Sequence, residues 1–246
     1  MINHATLIGR SHRLRQQNCH DYAISGAPAP GCAFGLVLDG CGSKYHAGTA
    51  VYPSHNEVGA KLLGKFIASS LSHTLQTDPA IQPDALLPAL YAQSRDFLAR
   101  LVTLYPNHDP TLRSHLIMTR LLCTIVGFVK TPDTAVFFWR GDGFLVVDGT
   151  ITQLDSGNQP DYLAYDLLTE TENGRFHSQS IPAAAHWLAA ATDGWSSTLL
   201  PDCAQPRPGL ALQRWLNLQG QQRGQFEDDG AVAVWWQEGQ PETRIV

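Results

Sequence analysis

A chain of 246 residues, 43% hydrophobic and 16% charged, carries enough apolar surface for a substantial packed core, which excludes a disordered protein. The net charge of −5, without any Lys/Arg run, leaves no surface that tracks phosphates and excludes general nucleic-acid binding. No stretch is apolar for the length that a membrane helix needs, and Met1-Ile2-Asn3-His4 lacks the basic and apolar segments of a signal peptide, so a cytoplasmic protein without a membrane partner is expected.

In chain order, residues 5–9 and 21–24 read as a first pair of short strands joined by the polar segment 10–20. Residues 32–38 form the next strand, and 42–56 a loop rich in Gly, His, Tyr and Pro. The apolar residues of 57–75 fall at helical spacing, as do Leu86, Leu87, Leu90, Tyr91, Phe97, Leu98 and Leu101 in a second helix that stops at Tyr105-Pro106-Asn107. Residues 121–129, 134–139, 144–147 and 150–153 then alternate with turn dipeptides and read as an antiparallel meander. The polar stretch 155–182 reads as loop with a short helix at 162–168. A strand at 187–191, a helix at 209–218 and a final strand at 231–236 complete the chain as one domain, residues 1–246. On that last strand Trp235 and Trp236 point to opposite faces, one into the core and one outward.

Three places stand out chemically. The apolar run Gly35-Leu36-Val37-Leu38 ends on Asp39-Gly40; Ala189-Ala190-Ala191-Thr192 ends on Asp193-Gly194; and Asp228-Asp229-Gly230 opens the last strand. Each delivers a carboxylate to a strand end, followed by a residue without Cβ that lets the backbone come close to whatever the carboxylate holds. Far apart in sequence, the three sites can converge on one metal centre. The five cysteines, odd in number and without CxxC spacing, fit reduced thiols better than a disulfide scaffold or a zinc cluster.

Gly9-Arg10-Ser11-His12, Asn18-Cys19-His20-Asp21, Val37-Leu38-Asp39-Gly40-Cys41-Gly42, Gly141-Asp142-Gly143, Ala191-Thr192-Asp193-Gly194-Trp195 and Asp228-Asp229-Gly230-Ala231-Val232 occur in the order in which similar motifs occur in the PPM (2C) metal-dependent serine/threonine protein phosphatases, and the chain resembles their bacterial branch over nearly its whole length. The resemblance implies an α+β fold, an α-β-β-α sandwich of two central antiparallel sheets flanked by helices, with a site for two Mg²⁺ or Mn²⁺ ions at one end of the sheets. Carried over by residue, Asp39 resembles the carboxylate that bridges both ions, Gly40 the backbone carbonyl ligand, Asp193 and Asp228 the other carboxylates of one ion, and Asp21 the acid near the other. Oxygen donors suit either ion, and two such ions activate a water for in-line attack on a phosphoryl group. A phosphate-binding arginine is expected before Asp21; Arg10, Arg13 and Arg15 all lie there, and Arg15 lies closest.

The chain also departs from the pattern. His20 stands where many members have an acid, which weakens the grip on the second ion. Asp142 resembles a third-metal aspartate, but Ser197 stands where its usual carboxylate partner would be, so that site lacks its pair. Asp229 and Ala231 are read as tolerated variation. Of the histidines around the site, His12 reads as support for a carboxylate and His46 and His55 as loop residues; Cys41 reads as a small buried thiol. The resemblance implies a phosphorylated protein substrate and a cognate Ser/Thr kinase. The alternatives are a catalytically weakened binding module, to which His20 and Ser197 point, and a phosphatase of small phosphoesters, because a metal centre does not choose its substrate.

Overall fold

Val, Ile, Phe and Ala runs become strands in this chain, and leucines repeating at threes and fours become helices. The computed structural model describes residues 1–42, 54–104, 109–157, 159–169, 174–222 and 224–237. The order is β1 (Ile2–Leu7), α1 (Arg10–Arg15), β2 (Asp21–Gly26), β3 (Ala33–Asp39), α2 (Asn56–Thr77), α3 (Pro83–Thr103), α4 (Pro110–Arg120), β4 (Ile125–Lys130), β5 (Ala135–Arg140), β6 (Gly143–Val147), β7 (Thr150–Leu154), β8 (His177–Ser180), β9 (Trp187–Ala191), α5 (Ala211–Gln219) and β10 (Gly230–Trp236). Two 3-10 turns, Leu163–Leu167 and Leu200–Ala204, interrupt the connections.

The strands form two antiparallel five-stranded sheets, ordered β1-β10-β9-β6-β7 and β2-β3-β4-β5-β8. Three apolar layers hold them. Val37, Val126, Phe128, Phe137, Leu145, Leu188, Ala190, Ala231, Ala233 and Trp235 fill the space between the sheets. Leu63, Ile67, Leu71, Leu90 and Leu98 pack α2 and α3 onto the outer face of the second sheet, while Leu212 and Leu216 of α5 cover the outer face of the first. The result is the four-layer α-β-β-α sandwich that the resemblance implies. Since both faces of β10 are covered, its seven residues are all buried and show no polar alternation.

The structure departs from the sequence reading in several places. The first two strands do not pair: β1 lies in one sheet beside β10, and β2 in the other beside β3, and the polar segment between them contains the helix α1. Nor is there a continuous meander. β4 pairs β5 and β6 pairs β7, but at Gly141-Asp142 the chain crosses from one sheet to the other. Gly141 and Gly143 make that crossing with φ of +91° and +138°, and a Cβ on Gly143 would lie 2.6 Å from the Ala191 carbonyl oxygen. Neither tryptophan points outward to solvent: Trp235 and Trp236 are both buried, and the Trp236 indole donates to the Cys203 carbonyl at 2.9 Å. The helix α4 and the strand β8 were not anticipated. α4 begins on Asp109-Pro110, with Asp109 accepting from the Thr111 amide at 2.8 Å, but among its described residues only Ile117 is buried, so its periodicity is weak.

Candidate metal centre

Antiparallel pairing decides which side chains meet. In β2 and β3 the register sets Asp21, the first residue of one strand, opposite Asp39, the last residue of the other. In β9 and β10 it sets Val232 opposite Ala191, so Thr192 and Asp193 continue past the end of β9 at the same edge where Asp228 and Asp229 enter β10. The Thr192 amide donates to the Ala231 carbonyl at 3.1 Å there. Stacking of the two sheets brings these two edges together, and Thr192 joins them: its hydroxyl donates to Asp21 Oδ2 at 2.5 Å and accepts from the Ala231 amide at 2.9 Å. Asp39 is held by its backbone, its amide donating to Thr124 Oγ1 at 3.2 Å and its carbonyl accepting from the Thr124 amide at 2.9 Å.

Four strand-end carboxylates therefore crowd one mouth, with Asp142 from the Gly141–Gly143 crossing beside them. The electrostatics record the crowding. Burial, then the negative charge of Asp39, raises the Asp21 carboxyl well above the ordinary range. Burial, then the charges of Asp193, Asp228 and Asp142, pushes Asp39 up to about 7. Asp193 faces solvent with part of its surface, yet burial and the charges of Asp142 and Asp228 push it to about 6. Among the described residues no Lys or Arg pairs with Asp21, Asp39, Asp193 or Asp228. Carboxylates so arranged repel one another until cations are placed among them, and an all-oxygen donor set suits Mg²⁺ or Mn²⁺.

Gly40 adds the close backbone approach. A Cβ there would lie 2.7 Å from the Glu57 amide nitrogen, so only glycine lets α2 start against this turn. Asn56 locks the contact: its side-chain amide donates to the carbonyl oxygen of Cys41 at 2.9 Å and its Oδ1 accepts from Leu122 at 3.0 Å.

Asp229 proves to be a clamp rather than tolerated variation. It is 2% exposed. Its Oδ1 accepts from the Gly9 amide at 2.6 Å, and its Oδ2 accepts from the His20 amide at 2.6 Å and from His12 Nδ1 at 2.8 Å. One carboxylate thus ties the start of α1, the residue before Asp21 and the loop into β10 together. His12 supports a carboxylate as its motif suggested, and its ring lies 4.4 Å from that of His20, centroid to centroid. His12, Asp228 and Asp229 have ligand atoms within 4.8 Å of one another.

The remaining candidates are placed as follows. Asp142 accepts from Ser156 Oγ at 2.7 Å, while Ser197 is exposed. Arg15 is exposed in the last turn of α1 with no partner among the described residues, whereas Arg10 pairs with Glu227 at 3.2 Å and Arg13 donates to the Gly220 carbonyl at 3.2 Å. Cys41 is buried. His55 precedes α2 and lies 3.6 Å from Glu57; His46 lies outside the described residues. Sequence reasoning gave no role to Asp229, Thr192, Thr124 or Glu57. For Asp229 the signal was the acidic doublet with Asp228; for the threonines there was none, since their roles depend on pairing between distant strands.

The sequence model of the protein phosphatase 2C family matches residues 8–225. Among solved structures, the serine/threonine phosphatase PstP/Ppp of Mycobacterium tuberculosis is 14% identical with a TM-score of 0.58, the match covering 95% of this chain and 97% of that one. Stp1 of Staphylococcus aureus is 12% identical with a TM-score of 0.55, covering 97% and 95%, and a bacterial serine phosphatase is 12% identical with a TM-score of 0.57, covering 98% of each. At such identities the likeness is one of fold. Among curated proteins none matches the sequence.

Proposed function

Since the chain belongs to the protein phosphatase 2C family, we propose that it is a metal-dependent phosphatase of phosphoserine and phosphothreonine in protein substrates. The observation that carries this reading is the convergence of Asp21, Asp39, Asp193 and Asp228 at one edge of both sheets without a Lys or Arg partner among the described residues. Asp21, Asp39, Asp193, Asp228 and the Gly40 carbonyl are the groups that would hold two Mg²⁺ or Mn²⁺ ions. When bound, such a pair supplies Lewis acidity toward water and toward phosphoryl oxygens.

The chain's own groups do the positioning. Thr192 holds Asp21 from across the sheets, Thr124 fixes the backbone of Asp39, and Asp229 fixes both flanks of the acidic mouth. His12 keeps its Nδ1 proton directed at Asp229 Oδ2, because a carboxylate there can only accept. Arg15, unengaged on α1, is the proposed phosphate contact, and Asp142 has Ser156 but no second carboxylate at Ser197, which argues against a third ion.

The test is hydrolysis of para-nitrophenyl phosphate and of a phosphopeptide panel with EDTA, Mg²⁺ or Mn²⁺, beside Asp39→Ala. Metal-dependent turnover that vanishes in the variant and favours phosphopeptides is expected. Turnover of small phosphates alone would move the substrate class, and no turnover by folded, metal-exposed protein would favour a binding module in which catalysis has decayed.

A further inference from the structure

Glu57, the second residue of α2, is only 4% exposed. Its Oε1 accepts from Asn18 Nδ2 at 3.3 Å and lies 3.6 Å from His55 Nδ1. Its Oε2 is fully buried and meets no donor among the described residues. A buried carboxylate oxygen left without a partner is costly, and chains keep one where something else completes it.

Its neighbours say where it sits. The Glu57 backbone abuts Gly40, where a Cβ would lie 2.7 Å from the Glu57 amide nitrogen, and the Gly40 amide in turn donates to the His20 carbonyl at 3.1 Å. Asn18, which holds the other carboxylate oxygen, lies three residues before Asp21. His20 itself brings an imidazole and no carboxylate to this side of Gly40, and its ring rests against that of His12.

We propose that Glu57 supplies the carboxylate of the second divalent cation, beside Asp39, Asp21 and the Gly40 carbonyl. The ligand would thus arrive from the start of α2 and not from the strand β2, and His20 would not leave the second ion without an acid. This rests on the two-cation reading above, but it fails separately from it.

The experiment is Mn²⁺ binding to the metal-free full chain, followed by calorimetry and by the electron paramagnetic signal of free Mn²⁺. Wild type is expected to take up two ions, Glu57→Gln one ion with the second weakened at least about tenfold, and Asp96→Asn, an exposed control, two. A second readout separates ligation from scaffolding. Metal-free Glu57→Gln should melt no lower than wild type, since a buried charge is gone, and should gain less from added Mn²⁺. Two ions bound with wild-type affinity by Glu57→Gln would overturn the proposal and leave the phosphatase reading standing, as would a metal-free variant that melts well below wild type. Absence of Mn²⁺ binding by wild type would overturn both.

Discussion

Asp166 and Asp21 are both buried aspartates, and the molecule treats them in opposite ways. Asp166 is fully answered: Arg140 donates to its Oδ2 at 2.9 Å and to its Oδ1 at 3.2 Å, and the Tyr91 hydroxyl donates to Oδ2 at 2.7 Å. Arg140 also pairs with Asp161 at 2.9 Å, so this cluster pins the turn Leu163–Leu167 and the segment just before it to the end of β5. Asp21 has one neutral hydroxyl and faces another carboxylate. Where a buried acid meets its own cation, the charge is spent on architecture. Where buried acids meet one another, the proposed cations would come from outside the chain, and that difference would separate a fold-holding site from a ligand-holding one.

The largest effect expected from this contrast lies at the unbalanced centre. Asp39→Asn should lower metal-dependent turnover on the order of a thousandfold, about 4 kcal/mol of transition-state stabilisation, while the far-ultraviolet dichroism stays unchanged. A variant with near-wild-type turnover would remove Asp39 from the centre. At the balanced cluster the same kind of change should act on stability. Arg140→Met leaves Asp166 buried and uncompensated, a loss of about 3 kcal/mol or more in urea unfolding. Adding Asp166→Asn to it should recover part of that loss, because the stranded charge is gone. If the single variant lost metal binding before it lost stability, the two regions would not be separable as described here.

Between these extremes lies Asp229, an acid that holds backbone rather than side-chain charge. Asp229→Asn presents an NH₂ group in place of one acceptor oxygen and should cost about 2 kcal/mol, measured as a lower urea midpoint at constant m. Its activity should fall as well, with the change concentrated in metal affinity, since Gly9 and His20 are held by this residue. An unchanged midpoint would show that the clamp is replaceable.

How legible all this was depends on range. Asp39 and Asp193 stood out because each ends an apolar run before a glycine, and Asp228 because it opens a strand, all of them local events in the sequence. The helices α2 and α3 could be read from leucine spacing, and the sandwich from the resemblance. What was not legible is set by pairing across distance. That residues 5–9 and 21–24 belong to different sheets, or that β5 and β6 do, depends on which partner each strand finds, and Gly141 and Gly143 mark a crossing in the same letters that mark a hairpin. Asp229 and Glu57 escaped for the same reason. One is defined by amides more than 200 residues away, the other by a glycine and an asparagine that precede it by a whole loop.

A last expected effect concerns pH, and its sign follows from the raised carboxyl groups. Asp39 titrates near 7 and Asp193 near 6 in the fold, against 3.8 for an ordinary aspartate, so between about pH 4 and pH 7 the metal-free fold binds more protons than the unfolded chain. Unfolding free energy then falls as pH rises through that window, with the share owed to the exposed Asp193 reduced by solvent screening. This is the reverse of the behaviour expected of an acid whose pKa is lowered by a partner. Bound Mn²⁺ should abolish the decline, because cations stabilise the ionised carboxylates that the apo fold penalises. Thermal melts from pH 4.5 to 7.5 with EDTA and with Mn²⁺ check both arms: a metal-free melting temperature that rises with pH would mean that the centre already contains its own compensation, and the contrast with the Arg140–Asp166 cluster would collapse.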